Sequence, residues 1–198
     1  MGAAGPLTFL TDFADQAVVL PLVLAVAVVL ACQRWTRGAA AWLFAIGGTF
    51  SVMLVLKLGF LGCAGVFGPA DMHSPSGHVA AATVVCGGLA AIYGRRRGAV
   101  PLVSVLVAIA IGLTRVGLNK HSWPEVVLGA AIGVAGAMAM ARFAGPPPPL
   151  RVRPIVLTAV FVLALFHGRH LEAEVAIGRA ATAAAWFPAW CQDSSQPR

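Results

Sequence analysis

Apolar residues occupy this chain in six long uncharged blocks, with the polar residues confined to the intervals between them. The blocks cover residues 17–32, 39–56, 79–93, 98–114, 126–141 and 154–166. None alternates apolar with polar positions, which excludes the strands of an outer-membrane barrel. Uniformly apolar segments predict helices, because backbone groups in lipid must find their partners within their own segment. Several blocks fall below the roughly 20 residues that a full crossing prefers. Flanking residues extend most of them by a turn, and the sixth is the weakest. The expected fold is all-α: a six-transmembrane-helix bundle forming one domain over residues 1–198, with an interfacial C-terminal tail. That tail spans 171–198, and Trp186, Phe187 and Trp190 suit a membrane interface. Pro146–Pro149 reads as a stiff extended connector.

Composition agrees with the pattern. The 198 residues are 59% hydrophobic and only 11% charged, whereas a soluble domain is about 25% charged. The net charge of +7 lies between apolar blocks, and no basic patch interleaves with aromatics, so nucleic acid is not an expected partner. Arg34 and Arg37 follow the first block, Arg95, Arg96 and Arg97 the third, and Arg142, Arg151 and Arg153 the fifth. The positive-inside rule assigns these alternate loops to the cytoplasm. The loops around Ser76 and His121 then share the extracytoplasmic side. The N-terminus has Asp12 and Asp15 rather than a basic region, so the first block is expected to stay as a span rather than be cleaved. Cys32, Cys63, Cys86 and Cys191 have no CxxC spacing, so no zinc site or disulfide framework is indicated. Cys63 and Cys191 share the outer side, where oxidising conditions allow a pairing.

Candidate chemistry lies in those two outer loops. Ser74-Pro75-Ser76-Gly77-His78 opens the third block. A serine before a proline is a usual helix start, and the first amides with the positive end of the helix dipole attract an anion. Gly77 admits a phosphate oxygen close to the backbone, Ser76 adds a hydroxyl, and His78 follows within the first turn. The same residues also fit a plain helix cap with an interfacial histidine. In the second loop, Arg115 offers a planar fork to two phosphate oxygens. His121 is a competent nucleophile when its other ring nitrogen is held by a carboxylate, and Glu125, four residues on, is suitably spaced. Glu125 equally completes a capping box with Ser122, so both readings stand. Lys57, near the end of the second block, fits either a phosphate partner or a snorkelling anchor. His73, His167 and His170 read as interfacial, and no metal-ligand spacing is present.

Lys57, Pro75-Ser76-Gly77-His78, and Thr114-Arg115 followed by His121 and Glu125 together resemble the type 2 phosphatidic acid phosphatase superfamily over roughly residues 50–140. The resemblance extends to Val126-Val127-Leu128-Gly129 after the third motif. It implies that His121 attacks phosphorus to form a phosphohistidine, oriented by Glu125. It also implies that His78 protonates the leaving oxygen and then activates water. Lys57, Ser76, the Gly77 amide and Arg115 would bind the phosphoryl oxygens, with no metal or cofactor required. The implied partners are the bilayer and a phosphorylated membrane lipid: a polyprenyl diphosphate, phosphatidate or phosphatidylglycerol phosphate. The implied location is a bacterial cytoplasmic membrane, with the site facing the periplasm or exterior.

Three positions depart from the family's pattern. Ala64-Gly65 stand where it has arginine-proline, Glu125 replaces aspartate, and Thr114 replaces serine. Loss of the arginine removes a charge-assisted contact worth about 1.5–3 kcal/mol, for which Arg169 or Lys120 are candidate substitutes. The altered motif leaves two further readings open: a lipid phosphotransferase with the same intermediate, and a non-catalytic lipid-binding membrane protein.

Overall fold

The computed structural model describes residues 4–63, 72–93, 98–171 and 173–183. These form eight helices and, among the described residues, no strand: α1 (Ala4–Asp12), α2 (Gln16–Cys32), α3 (Thr36–Gly62), α4 (Gly77–Tyr93), α5 (Ala99–Gly117), α6 (Trp123–Phe143), α7 (Val152–Phe166) and α8 (Ala173–Ala183). Each apolar block lies within one of α2 to α7, apart from Gly98, which caps α5. Caps extend several of them: Asp15 precedes α2, its side chain accepting the Ala17 amide at 2.8 Å, and Ser122 with Glu125 opens α6. α1 and α8 were not expected. α8 occupies part of the segment read as an interfacial tail and packs against α3. Trp186, Phe187 and Trp190 lie outside the described residues.

α4 sits at the centre, in contact with α2, α3, α5 and α6. Ten of its residues are buried, among them Val79, Ala80, Thr83 and Val84. Its closest neighbour is α6, and the approach depends on small residues. A Cβ at Gly133 would lie 2.8 Å from the Ala80 carbonyl oxygen, and one at Gly136 would meet Thr49 Oγ1 and lie 2.9 Å from a Val84 methyl. Without those atoms the backbones pack directly, which is how helices associate where no hydrophobic force separates protein from lipid. On the opposite side, α2 joins α3 and α7 around a core that includes Leu30, Ile46, Ile155 and the fully buried Trp42. The Trp42 indole satisfies its one donor by bonding the Val23 carbonyl at 2.9 Å.

Of the six expected crossings, four helical stretches have the length and hydropathy to cross a membrane. These are Gly5–Cys32 (through the α1–α2 bend), Thr36–Gly62, Ala99–Gly117 and Trp123–Phe143. α4 and α7 are apolar but have only 17 and 15 residues. At the helical rise they reach about 26 and 23 Å, short of the roughly 30 Å hydrocarbon layer. Large apolar side chains on the outer faces, including Leu24, Phe44, Val55, Leu102, Leu113 and Phe161, are exposed. Such a belt suits lipid rather than water.

The two ends of the bundle differ. At one, Arg37 Nε donates to the Phe143 carbonyl at 2.9 Å and the Arg151 amide to Gln33 Oε1 at 2.6 Å. This joins the α2–α3 turn to the α6–α7 connection and gathers most of the described arginines. The end of α3, the start of α4 and the α5–α6 turn meet at the other. Arg95, Arg96 and Arg97 lie outside the described residues.

Gly136→Val should overpack the α3–α4–α6 junction and destabilise the protein by about 1–3 kcal/mol. A thermal melt in detergent should show a clearly lowered midpoint; an unchanged one would mean that α6 has room to shift.

Candidate functional site

Glu125, only 4% exposed, ties the two motif loops together. Its Oε1 accepts the amides of His73 at 2.7 Å and Ser74 at 2.8 Å. Its Oε2 accepts the Ser122 amide at 3.0 Å and lies 2.9 Å from His121 Nδ1. The Glu125 carbonyl also accepts the Ser76 amide at 3.0 Å. The sequence left this glutamate either capping α6 or holding His121. It does both, one carboxylate having enough lone pairs for four partners. Facing a carboxylate, Nδ1 of His121 carries the proton, which leaves the lone pair on Nε2.

The Ser76 loop packs flat against α6. A Cβ at Gly129 would lie 2.5 Å from the Ser76 carbonyl oxygen, so only glycine permits this approach. Ser76 is fully buried, and its Oγ makes no hydrogen bond among the described residues. α4 begins immediately after it, with Ala80 donating to the Ser76 carbonyl at 3.2 Å. Gly77 and His78 thus occupy the positive end of the helix dipole. Lys57 of α3 comes alongside, its Cε and Nζ 3.5 and 3.8 Å from the position of a Gly77 Cβ. The lysine is 6% exposed, so it is an inward-facing cation rather than a snorkelling anchor. Arg115, in the last turn of α5, is 7% exposed. The Thr114 hydroxyl donates to the Ile111 carbonyl at 2.7 Å within its own helix. His78, Gly77 and Lys57 line one cavity with Asp15, Leu171 and Ile177.

The PAP2 superfamily model matches residues 3–146, most of the chain. The chain belongs to the PAP2 superfamily. Members of this superfamily are generally phosphatases, which supports a phosphoric-ester hydrolase here, and the four long apolar stretches support a membrane protein. An uncharacterized 22.5 kDa protein in the cps region of Klebsiella pneumoniae is 31% identical over 132 residues. The match spans 63% of this chain and 63% of that relative, less than two thirds of its length. No solved structure matches significantly.

Ala64 and Gly65, in place of the PAP2 arginine-proline pair, lie outside the described residues. Neither substitute suggested by sequence lines the cavities beside Lys57. The Arg169 guanidinium instead stacks over the Phe166 ring at 5.6 Å, and Lys120 is exposed in the α5–α6 turn. Cys63 is disulfide-bonded, while Cys32 and Cys86 are free; Cys191 lies outside the described residues. Among the described residues no three His, Cys, Asp or Glu side chains are grouped to hold a metal ion.

Sequence reasoning missed two contributors to the PAP2 site. Asp15 was read only as an acidic residue ahead of the first span, yet it is buried and lies 3.9 Å from His78 Nε2. α8 was read as tail, yet its Ala173 and Ile177, with Leu171 just before it, line the cavity that holds His78. The one available signal was a carboxylate at a helix start beside an apolar block, which is also an ordinary N-cap.

Glu125→Gln turns an amide donor toward backbone N–H groups that need an acceptor. Leaving buried donors unmet costs about 1–3 kcal/mol. The expected result is a lower melting midpoint, with faster proteolysis or amide exchange around His73 and Ser74. Protection equal to wild type would remove Glu125 from its joining role.

Proposed function

We propose that this PAP2 protein is a membrane-embedded hydrolase of a lipid phosphate or diphosphate, acting at the extracytoplasmic face through a phosphohistidine on His121. The observation that carries the reading is the His121–Glu125 pair at 2.9 Å, bonded through the same carboxylate to the loop that bears Ser76, Gly77 and His78. Attack by His121 Nε2 forms the N–P bond as the P–O bond to the leaving group breaks. His78 supplies that oxygen with a proton. In the second half, His78 takes a proton from water, the water oxygen bonds phosphorus, and the P–N electrons return to His121. Lys57, Arg115, the Ser76 hydroxyl and the Gly77 amide neutralise the phosphoryl oxygens, whose spread charge is what such a site must stabilise. This scheme needs no metal.

The lipid substrate class follows from location. The site opens at the end of an apolar bundle, beside the exposed Leu61 and Trp123, where a polar headgroup and a greasy tail are both accommodated. Polyprenyl diphosphate, phosphatidate and phosphatidylglycerol phosphate all have that form. The orientation follows from the arginines at the opposite end, which the positive-inside rule holds in the cytoplasm of a bacterial cell. A six-span arrangement remains our reading of α2 to α7. Centrally packed α4 is shielded by its neighbours, and bilayer thinning accommodates short spans at modest cost.

Phosphate release from these lipids in detergent should persist in excess chelator and fall at least about 10³-fold in His121→Ala. Substrate labelled in the transferred phosphate should mark wild-type protein with an acid-labile, alkali-stable adduct that the variant lacks. Full turnover by the variant would discard the mechanism, and label recovered in a lipid acceptor rather than free phosphate would make the protein a phosphotransferase.

A further inference from the structure

We infer that Asp15 is a positioning residue for His78, holding the imidazole in its charged form for protonation of the leaving oxygen. This deepens the proposed hydrolase reading and rests on it.

The two oxygens of Asp15 do different work. Oδ1 accepts the Ala17 amide at 2.8 Å, capping α2, and the Leu171 amide at 3.2 Å, fastening the segment after α7. Neither bond needs a full charge, and serine or asparagine caps a helix about as well as aspartate. Oδ2 makes neither of these bonds. It faces two imidazoles, His78 Nε2 at 3.9 Å and His170 Nδ1 at 3.4 Å. The aspartate is 6% exposed, a costly place for a carboxylate unless a cation offsets it. An imidazolium on His78 is such a cation, and the carboxylate favours that form over neutral imidazole. Catalytic contacts of this kind are often long before substrate binds.

The remaining charges define the balance around His78. Lys57 from α3 lines the same cavity and opposes a second positive charge. Arg115 of α5 and the His121–Glu125 pair of α6 belong to the same end of the bundle. His170 shares the Asp15 carboxylate and is also 3.9 Å from Asp12 Oδ1. The carboxylate keeps its charge throughout: the proton given to the leaving oxygen comes from the His78 ring and returns to it from water.

The test compares wild type, Asp15→Asn, Asp15→Ser and Asp15→Glu in one detergent, on phosphatidate and on p-nitrophenyl phosphate. Asparagine and serine retain a cap, and glutamate retains the charge. Phosphatidate expels an alkoxide that needs a proton; the aryl phosphate expels a stable phenolate that does not. Asp15→Asn should slow phosphatidate turnover at least about 10-fold, the lower end for general-acid catalysis. Loss on the aryl ester should be under about 3-fold, and Asp15→Glu should recover part of the difference. The alkaline limb of kcat/KM should move to lower pH, because His78 surrenders its proton more easily without the carboxylate. Asp15→Ser should behave like Asp15→Asn and serves in its place if that variant does not fold. Equal loss on both esters with unmoved limbs would make Asp15 a structural cap and overturn the inference. If His121→Ala retains wild-type activity in the same assay, the hydrolase reading fails first, which separates the two failures.

Discussion

One buried carboxylate organises the functional end of this protein. Glu125 receives backbone amides from the loop before α4 and from the start of its own helix, while its second oxygen holds His121. Neither loop is regular structure, so neither carries its own backbone hydrogen-bond ladder. Sharing one acceptor supplies the missing partners and fixes the distance between the loops. The cost of burying a carboxylate is offset by four hydrogen bonds, all charge-assisted because the acceptor is ionised. Fixing the loops also brings the Ser76-Gly77-His78 turn to the side of His121.

That arrangement depends on how closely α4 and α6 approach. Gly129 places the Ser76 backbone directly on α6, and Gly133 and Gly136 continue the approach toward α3. A methyl group at Gly129 would push the Ser76 loop away from the helix that carries Glu125. Packing and site geometry are therefore one constraint, since the glycine-lined helix is also the one whose first turn holds the carboxylate facing His121. α4 is both the most enclosed helix and one of the shortest. Its length goes into the core and the site rather than into reaching lipid on its own.

The bundle also separates charge. Arginines gather where the α2–α3 turn meets the α6–α7 connection, whereas Lys57 and His78 share a cavity at the opposite end, where Arg115 and His121 also lie. The first set lies at turns and helix ends, where charge remains hydrated. The second includes cations almost wholly buried at Lys57 and Arg115. Both can donate to phosphoryl oxygens, as lysine and arginine commonly do.

Helix positions were legible because lipid-facing segments declare themselves by uniform hydropathy, and the described helices α2 to α7 fall on the six apolar blocks. The chemical residues were legible as well, since histidine, arginine and serine at fixed spacings beside helix ends stand out in so apolar a chain. The number of full crossings was less legible, because α4 and α7 are apolar but short, and counting blocks does not measure their reach. Asp15 and α8 were invisible because their partners, His78 and Lys57, lie tens of residues away in sequence. The linear chain determined the elements, the chemical inventory and the charge asymmetry, all of which depend on local composition. Only the folded bundle decided which carboxylate serves which imidazole, because that depends on long-range packing that no spacing along the chain encodes.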